Sequence, residues 1–366
     1  MNNRGSVEQK RKIDVRQGVV FDSSGSGWTY SHHASLVYFC GQYYAMWSNG
    51  RINEDDVGQR VLMAVSEDGV SWSAPRELFA PMEGNGVLTS AGWYLREDGV
   101  LNAYAGLYFY PDATRPKGDR DHVGTTLLCK TSRDGVAWSE AVDLHLPIIP
   151  NQGPHRLMSG RLIIDGNVTF PYTDDPKGLE GWKLAGISPC PMEGLQDDSE
   201  GFHRHAELRG ASDHVCEGSH FQTEDGCIRM LLRNATPANV EDRFLCLSDS
   251  TDNGVSYSAP RRIDFTDNNS KFYCIRLSNG RYAVIGNPDQ HGRRCPLSVL
   301  ISDDCVHFNR RYDLATEELP RKFDGMYKGG VYAYPHAVEA NGRLLVIFSV
   351  NKEDIRAYSV AVDDLI

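Results

Sequence analysis

The chain lacks a hydrophobic run long enough to span a bilayer: its longest, such as Leu344–Val350, are strand-sized, far short of the roughly 20 apolar residues a membrane helix needs. It also lacks a C-x-x-C pair. Nine cysteines, odd in number and widely scattered, argue for reduced and mostly buried thiols over a disulfide or zinc framework. There is no basic excess: the net charge of −11 repels nucleic acid and anionic membranes at long range. No G-x-S-x-G, P-loop or dinucleotide fingerprint follows a strand, so acyl, phosphoryl and hydride transfer have no support. Nor does the polar, basic N-terminus M-N-N-R-G-S-V-E-Q-K-R-K lead into the apolar stretch of a secretory signal. The expectation is a cytoplasmic protein, or a secreted or periplasmic one whose leader has been removed.

What is present is repetition. At Ser66–Trp72, Ser132–Trp138, Ser250–Tyr257 and Ser302–Phe308 a small polar residue leads through an acidic turn to an aromatic. Such a box has a structural reading, in which Asp caps a turn through its own backbone and the aromatic packs between strands. Between the boxes, alternating apolar strands flank tight glycine turns, with Gly41, Gly99, Gly166, Gly226, Gly280 and Gly342 as the turn glycines. This is the strongest short-range hairpin signal, and its spacing fits one four-stranded blade per repeat. The expected fold is all-β: a single β-propeller domain spanning 1–366, with six blades counted and seven as the alternative. The blades fall at about 22–80, 86–145, 154–200, 213–263, 270–314 and 330–366, closed by an N-terminal strand at 18–21.

A propeller gathers the starts of its inner strands at one end of a central channel. Residues a few positions before each hairpin glycine therefore converge there: His32 and His33, His155, Glu217 and His220, Lys271 with Tyr273 and Arg276, Tyr334 and His336. Strand alternation implies that His32 and His33 face opposite ways. Metal ligation is disfavoured, because no H-x-H, H-x-x-x-H or H-E-x-x-H occurs and the ligands would come from different blades; neither metal nor cofactor is expected. Acid/base chemistry on a sugar remains, with an oligosaccharide or polysaccharide as the partner. Trp47 and Tyr334 can stack on a pyranose, Arg233 or Arg60 can hold a carboxylate, and Asn49 joins the substrate-contacting segment. Glu54, Asp55 and Asp56 read as a solvated loop, and loops at 111–124 and 287–296 are candidates to cover the mouth.

The boxes S-x-D-G-x-x-W resemble those of sialidase-type propellers over most of the chain. C-E-G-S-H-F-Q-T-E-D-G-C-I-R-M-L-L-R-N is similar to the sialidase segment carrying a glutamate and an arginine of the carboxylate clamp, which implies those roles for Glu217 and Arg233. A-Y-P-H resembles the segment of the tyrosine nucleophile, implying Tyr334. At the front, where sialidases carry the first arginine, this chain has Y-S-H-H-A. Residues 30–61 look more like the α-L-rhamnosidases and L-rhamnose-α-1,4-D-glucuronate lyases, a family described as seven-bladed. That likeness implies β-elimination: His33 as base with His32 as second choice, Gln59, Arg60 and Arg233 as carboxylate partners, and Tyr334 or His336 protonating the leaving oxygen. The alternatives are hydrolysis by a Tyr334–Glu217 couple and a non-catalytic carbohydrate-binding propeller.

Overall fold

The computed structural model describes residues 13–111, 122–190, 192, 214–235 and 243–366. Six antiparallel sheets follow one another along the chain. The first comprises β2 (Tyr30–Phe39), β3 (Gln42–Gly50), β4 (Arg60–Ser66) and β5 (Arg76–Phe79), and the second β6 (Gly86–Leu95), β7 (Leu101–Phe109), β8 (Val123–Ser132) and β9 (Val142–Asp143). The third has three short strands, β10 (His155–Arg156), β11 (Leu162–Ile163) and β12 (Tyr172–Thr173), extended by isolated bridges from Thr169 to Gly186 and Tyr172 to Lys183. The fourth holds β13 (Val215–Gln222), β14 (Ile228–Asn234), β15 (Phe244–Ser250) and β16 (Arg261–Thr266). The fifth holds β17 (Tyr273–Arg276), β18 (Tyr282–Gly286), β19 (Leu297–Ser302) and β20 (Arg310–Ala315).

In the sixth sheet, β21 (Tyr332–Ala340), β22 (Arg343–Val350) and β23 (Asp354–Ala361) are joined on the outside by β1 (Arg16–Phe21). The end of the last sheet is thus paired by the start of the chain, which hides an edge that would otherwise template aggregation. Apolar cores lie between successive sheets. One joins sheet five to sheet six through Tyr273, Val299, Tyr332 and Phe348, and another joins sheet six to sheet one through Leu345, Ile347, Leu36 and Trp47. The molecule is a six-bladed propeller. Among the described residues no helix is long and apolar enough to cross a membrane.

The acidic boxes are turn devices. Asp68 Oδ1 accepts from the amides of Val70 and Ser71 at 2.8 and 2.7 Å, and Asp134 and Asp304 repeat the pattern. Among the hairpin glycines, Gly41, Gly99, Gly226, Gly280 and Gly342 take the left-handed backbone that only glycine adopts freely. The third blade differs from the sequence expectation. Its inner hairpin turns at Gly160, φ +90°, between β10 and β11, while Gly166 lies after β11. The D-G pair at 165–166 misleads because Asp165 is buried, serving the channel and not the turn.

Candidate active site at the channel mouth

Four of the six inner strands carry a register shift near their starts: between His32 and Ser35 in β2, Ser90 and Gly92 in β6, Val215 and Gly218 in β13, and Ala333 and His336 in β21. A β-bulge inserts one residue and re-aims a side chain. In β2 and β21 the bulged residues, His33 and Tyr334, have φ of +52°, a left-handed conformation that costs a non-glycine residue roughly 1–2 kcal/mol. The consequence corrects the alternation argument. His32 and His33 do not face apart; their ring centroids lie 4.5 Å from each other, and both rings approach Tyr334, at 4.2 and 5.6 Å.

Around these rings stands a charged cluster. Tyr334 Oη donates to Glu217 Oε1 at 2.6 Å, and Arg233 reaches both Glu217 Oε2, at 2.5 Å, and Tyr334 Oη, at 3.2 Å. Asn269 Oδ1 anchors the other side of Arg233 at 2.7 Å. The ammonium of Lys271 and the guanidinium of Arg294 lie 5.4 and 5.5 Å from the centroid of the Tyr334 ring. Burial pushes Glu217 upward, but Arg233 and the hydrogen bonds from Tyr334 and Arg233 outweigh it and hold the carboxyl at about 2. Burial, reinforced by the Glu217 charge, raises Tyr334 well above the ordinary phenol, so its proton stays on oxygen. Burial draws Lys271 down to about 8, His33 to about 3, and His32 well below its ordinary value. At neutral pH the mouth therefore presents a carboxylate, a phenol, two uncharged imidazoles and several cations.

A second ring lies further along the same strands. His220 Nδ1 is 2.7 Å from Asp165 Oδ1, Gln152 also donates to Asp165, and the His155 ring stands edge-on to His220. His336 Nδ1 accepts from the Leu36 amide at 3.2 Å, and its ring lies against Tyr273 at 4.2 Å. A cavity of about 190 Å³ opens here, lined by Trp93, His155, Tyr273 and His336 among others. A separate recess, about 630 Å³, lies at an acidic box beside Tyr44, Asp68 and Arg76 and is lined by none of these groups.

The structure thus brings His32, His33, Glu217, Arg233 and Tyr334 together at one layer, and His155, His220 and His336 at the next. It places the remaining candidates elsewhere. Trp47 is fully buried in the core between sheets six and one and offers no face to a sugar. Asn49 donates to Tyr30 O and Ser31 Oγ, and Gln59 donates to Leu88 O, both as buried structural amides. Arg60 binds Asn49 and Glu77 and covers the Trp28 ring at 3.9 Å. Arg276 is exposed at the far end of β17, paired with Glu224. Glu54 is not a solvated residue: its Oε2 accepts from Lys352 at 2.6 Å and its Oε1 faces His32 Nε2 at 3.9 Å. Lys271, Arg294, Lys352 and Glu54 complete the cluster. Lys271 stood at a convergent position in the sequence; the other three come from loops, whose course hydrophobic periodicity does not register. Of the candidate covering loops, 287–296 supplies Arg294, and most of 111–124 lies outside the described residues.

Residues 41–347 match the BNR repeat-like domain. The chain belongs to that family. Among solved structures, it is similar to a protein of unknown function from Dyadobacter fermentans, with 16% identity, a TM-score of 0.69, and coverage of 95% of this chain and 99% of the other. It is similar to the intramolecular trans-sialidase from Ruminococcus gnavus, solved with oseltamivir carboxylate, at 12% identity and TM-score 0.65, covering 95% and 98%. A protein titled sialidase aligns at 18% identity and TM-score 0.65, over 96% of this chain but only 33% of its own length. At such identities these likenesses establish the sialidase-type propeller fold. A search of curated protein sequences finds no match.

Proposed function

We propose that this protein is a glycosidase-type carbohydrate-active enzyme that breaks the glycosidic bond of a carboxylate-bearing sugar, with Tyr334 as nucleophile and Glu217 as its base. The observation that carries the reading is the Tyr334–Glu217 hydrogen bond of 2.6 Å beside the cations Arg233, Lys271 and Arg294. A phenol is a weak nucleophile until an adjacent base takes its proton. Glu217, ionised at neutral pH, accepts that proton as Tyr334 Oη attacks the anomeric carbon and the glycosidic oxygen departs, taking a proton from solvent, while Arg233 holds the Glu217 carboxylate in place. Water then cleaves the glycosyl-tyrosine, giving net hydrolysis with retention. Arg233, Lys271, Arg294 and Lys352 converge on Glu54 and Glu217, with Asp55, Asp165 and Asp267 as further carboxylates near them. Guanidinium and ammonium groups gathered in this way can hold the carboxylate of a sugar. The neighbours' titles, which name sialidases and trans-sialidases, support glycan chemistry for those proteins and make it a natural reading here.

The second reading is cleavage of a terminal rhamnose-α-1,4-glucuronate linkage by β-elimination. It is favoured by one observation, a half-buried, uncharged His33 ring directed into the mouth beside Tyr334. In that reaction an imidazole removes the C5 proton of the uronate and the C4 oxygen departs. Incubation with an oligosaccharide capped by rhamnose-α-1,4-glucuronate, in parallel with a sialyl-oligosaccharide, separates the readings. Sugar release without ultraviolet absorbance supports hydrolysis; release with the absorbance of an unsaturated uronate supports elimination. No release from these or from a panel of other uronides would overturn both.

A further inference from the structure

We infer that His32, His33 and Glu54 form a binding site for a divalent transition-metal ion, with Zn²⁺ the best chemical fit. One donor atom from each of the three residues can be chosen so that all lie within 4.8 Å of one another, which suits a single ion ligated by two imidazoles and one carboxylate. All three come from one blade: the bulge of β2 turns the adjacent histidines to the same side, and the loop between β3 and β4 carries Glu54 over them.

Two further observations point to a ligand. His32 is completely buried, yet its Nε2 has no hydrogen-bond partner among the described residues and is directed at Glu54 Oε1, 3.9 Å away. A buried ring nitrogen left unpaired is costly. In addition, each donor group is gripped at its other end. His32 Nδ1 lies 2.7 Å from Ser349 Oγ, His33 Nδ1 3.2 Å from Ser48 Oγ, and Glu54 Oε2 2.6 Å from Lys352 Nζ. Outer contacts of this kind fix the tautomer and orientation of metal-binding side chains. They leave both Nε2 atoms and Glu54 Oε1 outside these contacts, with His32 Nε2 3.9 Å from Glu54 Oε1.

Three protein ligands leave open positions, the pattern of a working site and not of a closed structural one. Lys271, Arg294 and Lys352 oppose a bare dication, so the open positions favour an anionic oxygen. The site stands independently of the hydrolytic reading, since Tyr334 and Glu217 are not ligands.

The test uses untagged, chelator-treated full-length protein, titrated with Zn²⁺ by calorimetry and with Co²⁺ by visible absorption. The expected result is one Zn²⁺ per chain, a Co²⁺ ligand-field spectrum, and a rise in melting temperature on adding Zn²⁺. Glu54→Gln and His33→Gln should each weaken Zn²⁺ by at least about 100-fold, and Ser349→Ala by about 10–100-fold, as outer-contact losses do. Glu54→Gln is isosteric and lies on a loop, and its melting temperature without metal checks that it folds. Absence of stoichiometric binding to the wild type, or binding unchanged in Glu54→Gln and His33→Gln, would overturn the site.

Discussion

The two rings of the channel are built from the same residue types and do different things with them. In the deeper ring Asp165 is shared by His220 and Gln152, and His336 accepts a backbone amide, while Gln152 Oε1 has no hydrogen-bond partner among the described residues. At the mouth the backbone is strained at His33 and Tyr334, His32 Nε2 lacks a hydrogen-bond partner among the described residues, and several cations gather around Glu54 and Glu217. The deeper ring is organised around the buried Asp165, the mouth around the Tyr334–Glu217 couple. Backbone strain and unpaired polar groups persist only where something over-determines them, and here both coincide with the Tyr334–Glu217 couple.

Substitutions sharpen that contrast. The largest effect is expected from Tyr334→Phe, which keeps the ring packing but removes the nucleophile: turnover should fall by about three decades or more while the melting temperature stays close to wild type. Steady-state kinetics on any substrate found by the product assay would show it, and a rate within tenfold of wild type would remove Tyr334 from the chemistry. His33→Ala comes next. In the elimination reading it costs about two to four decades in turnover, the share of one acid/base group, whereas hydrolysis through Tyr334 tolerates it much better.

In the deeper ring, Asp165→Asn should do the reverse. It is expected to cost about 1–3 kcal/mol of stability, the worth of hydrogen bonds to a buried charged group, and to leave turnover per folded molecule intact. Denaturant unfolding paired with kinetics would measure both, and a loss of activity without loss of stability would place the deeper ring in the reaction. The smallest effect belongs to the blade rims: Asp68→Ala removes an exposed turn acceptor and should cost about 1 kcal/mol with no change in rate.

Acid stability tests both rings together. Burial holds His33 at about 3 and His155 at about 4, against 6.5 for the free group. The unfolded chain binds those protons below pH 6.5 and the folded chain does not, so stability is complete above that pH and falls as the pH descends toward 4. Glu217, held at about 2 against 4.5, keeps its contribution above pH 4.5 and loses it only as the pH falls from there toward 2. Loss between pH 6.5 and 4.5 is therefore the histidines' own, set against the opposite and smaller contribution of Asp267, whose carboxyl burial raises to about 6 against 3.8. Urea denaturation at pH 7 and pH 5 would detect it, and equal stability at the two values would contradict the burial of neutral imidazoles.

The ring of blades was legible because period-two alternation and glycine turns are local signals that repeat. Blade three was less so: its strands are two residues long, and a D-G pair whose aspartate serves the channel imitates a hairpin turn. At the site, Glu217, Arg233 and Tyr334 could be found from segments that resemble sialidases. The pairing of His32 with His33 could not, because a bulge reverses alternation and leaves no mark in residue type. Trp47, Asn49, Gln59 and Arg60 carried plausible chemistry in a plausible segment, yet their side chains face the core or the neighbouring strands. Glu54 shows the opposite case, an acid in a run of three that folds inward to meet Lys352.

The cations at the mouth, Arg233, Lys271, Arg294 and Lys352, are expected to receive a sugar carboxylate. The most direct test is calorimetric titration with N-acetylneuraminate, glucuronate and galacturonate, with glucose as the neutral reference, on the wild type and Arg294→Met. The account predicts that at least one carboxylated sugar binds, that glucose does not, and that Arg294→Met weakens binding by tenfold or more, about 1.4 kcal/mol. Binding of glucose as tight as that of the acids, or acid binding indifferent to Arg294, would contradict it.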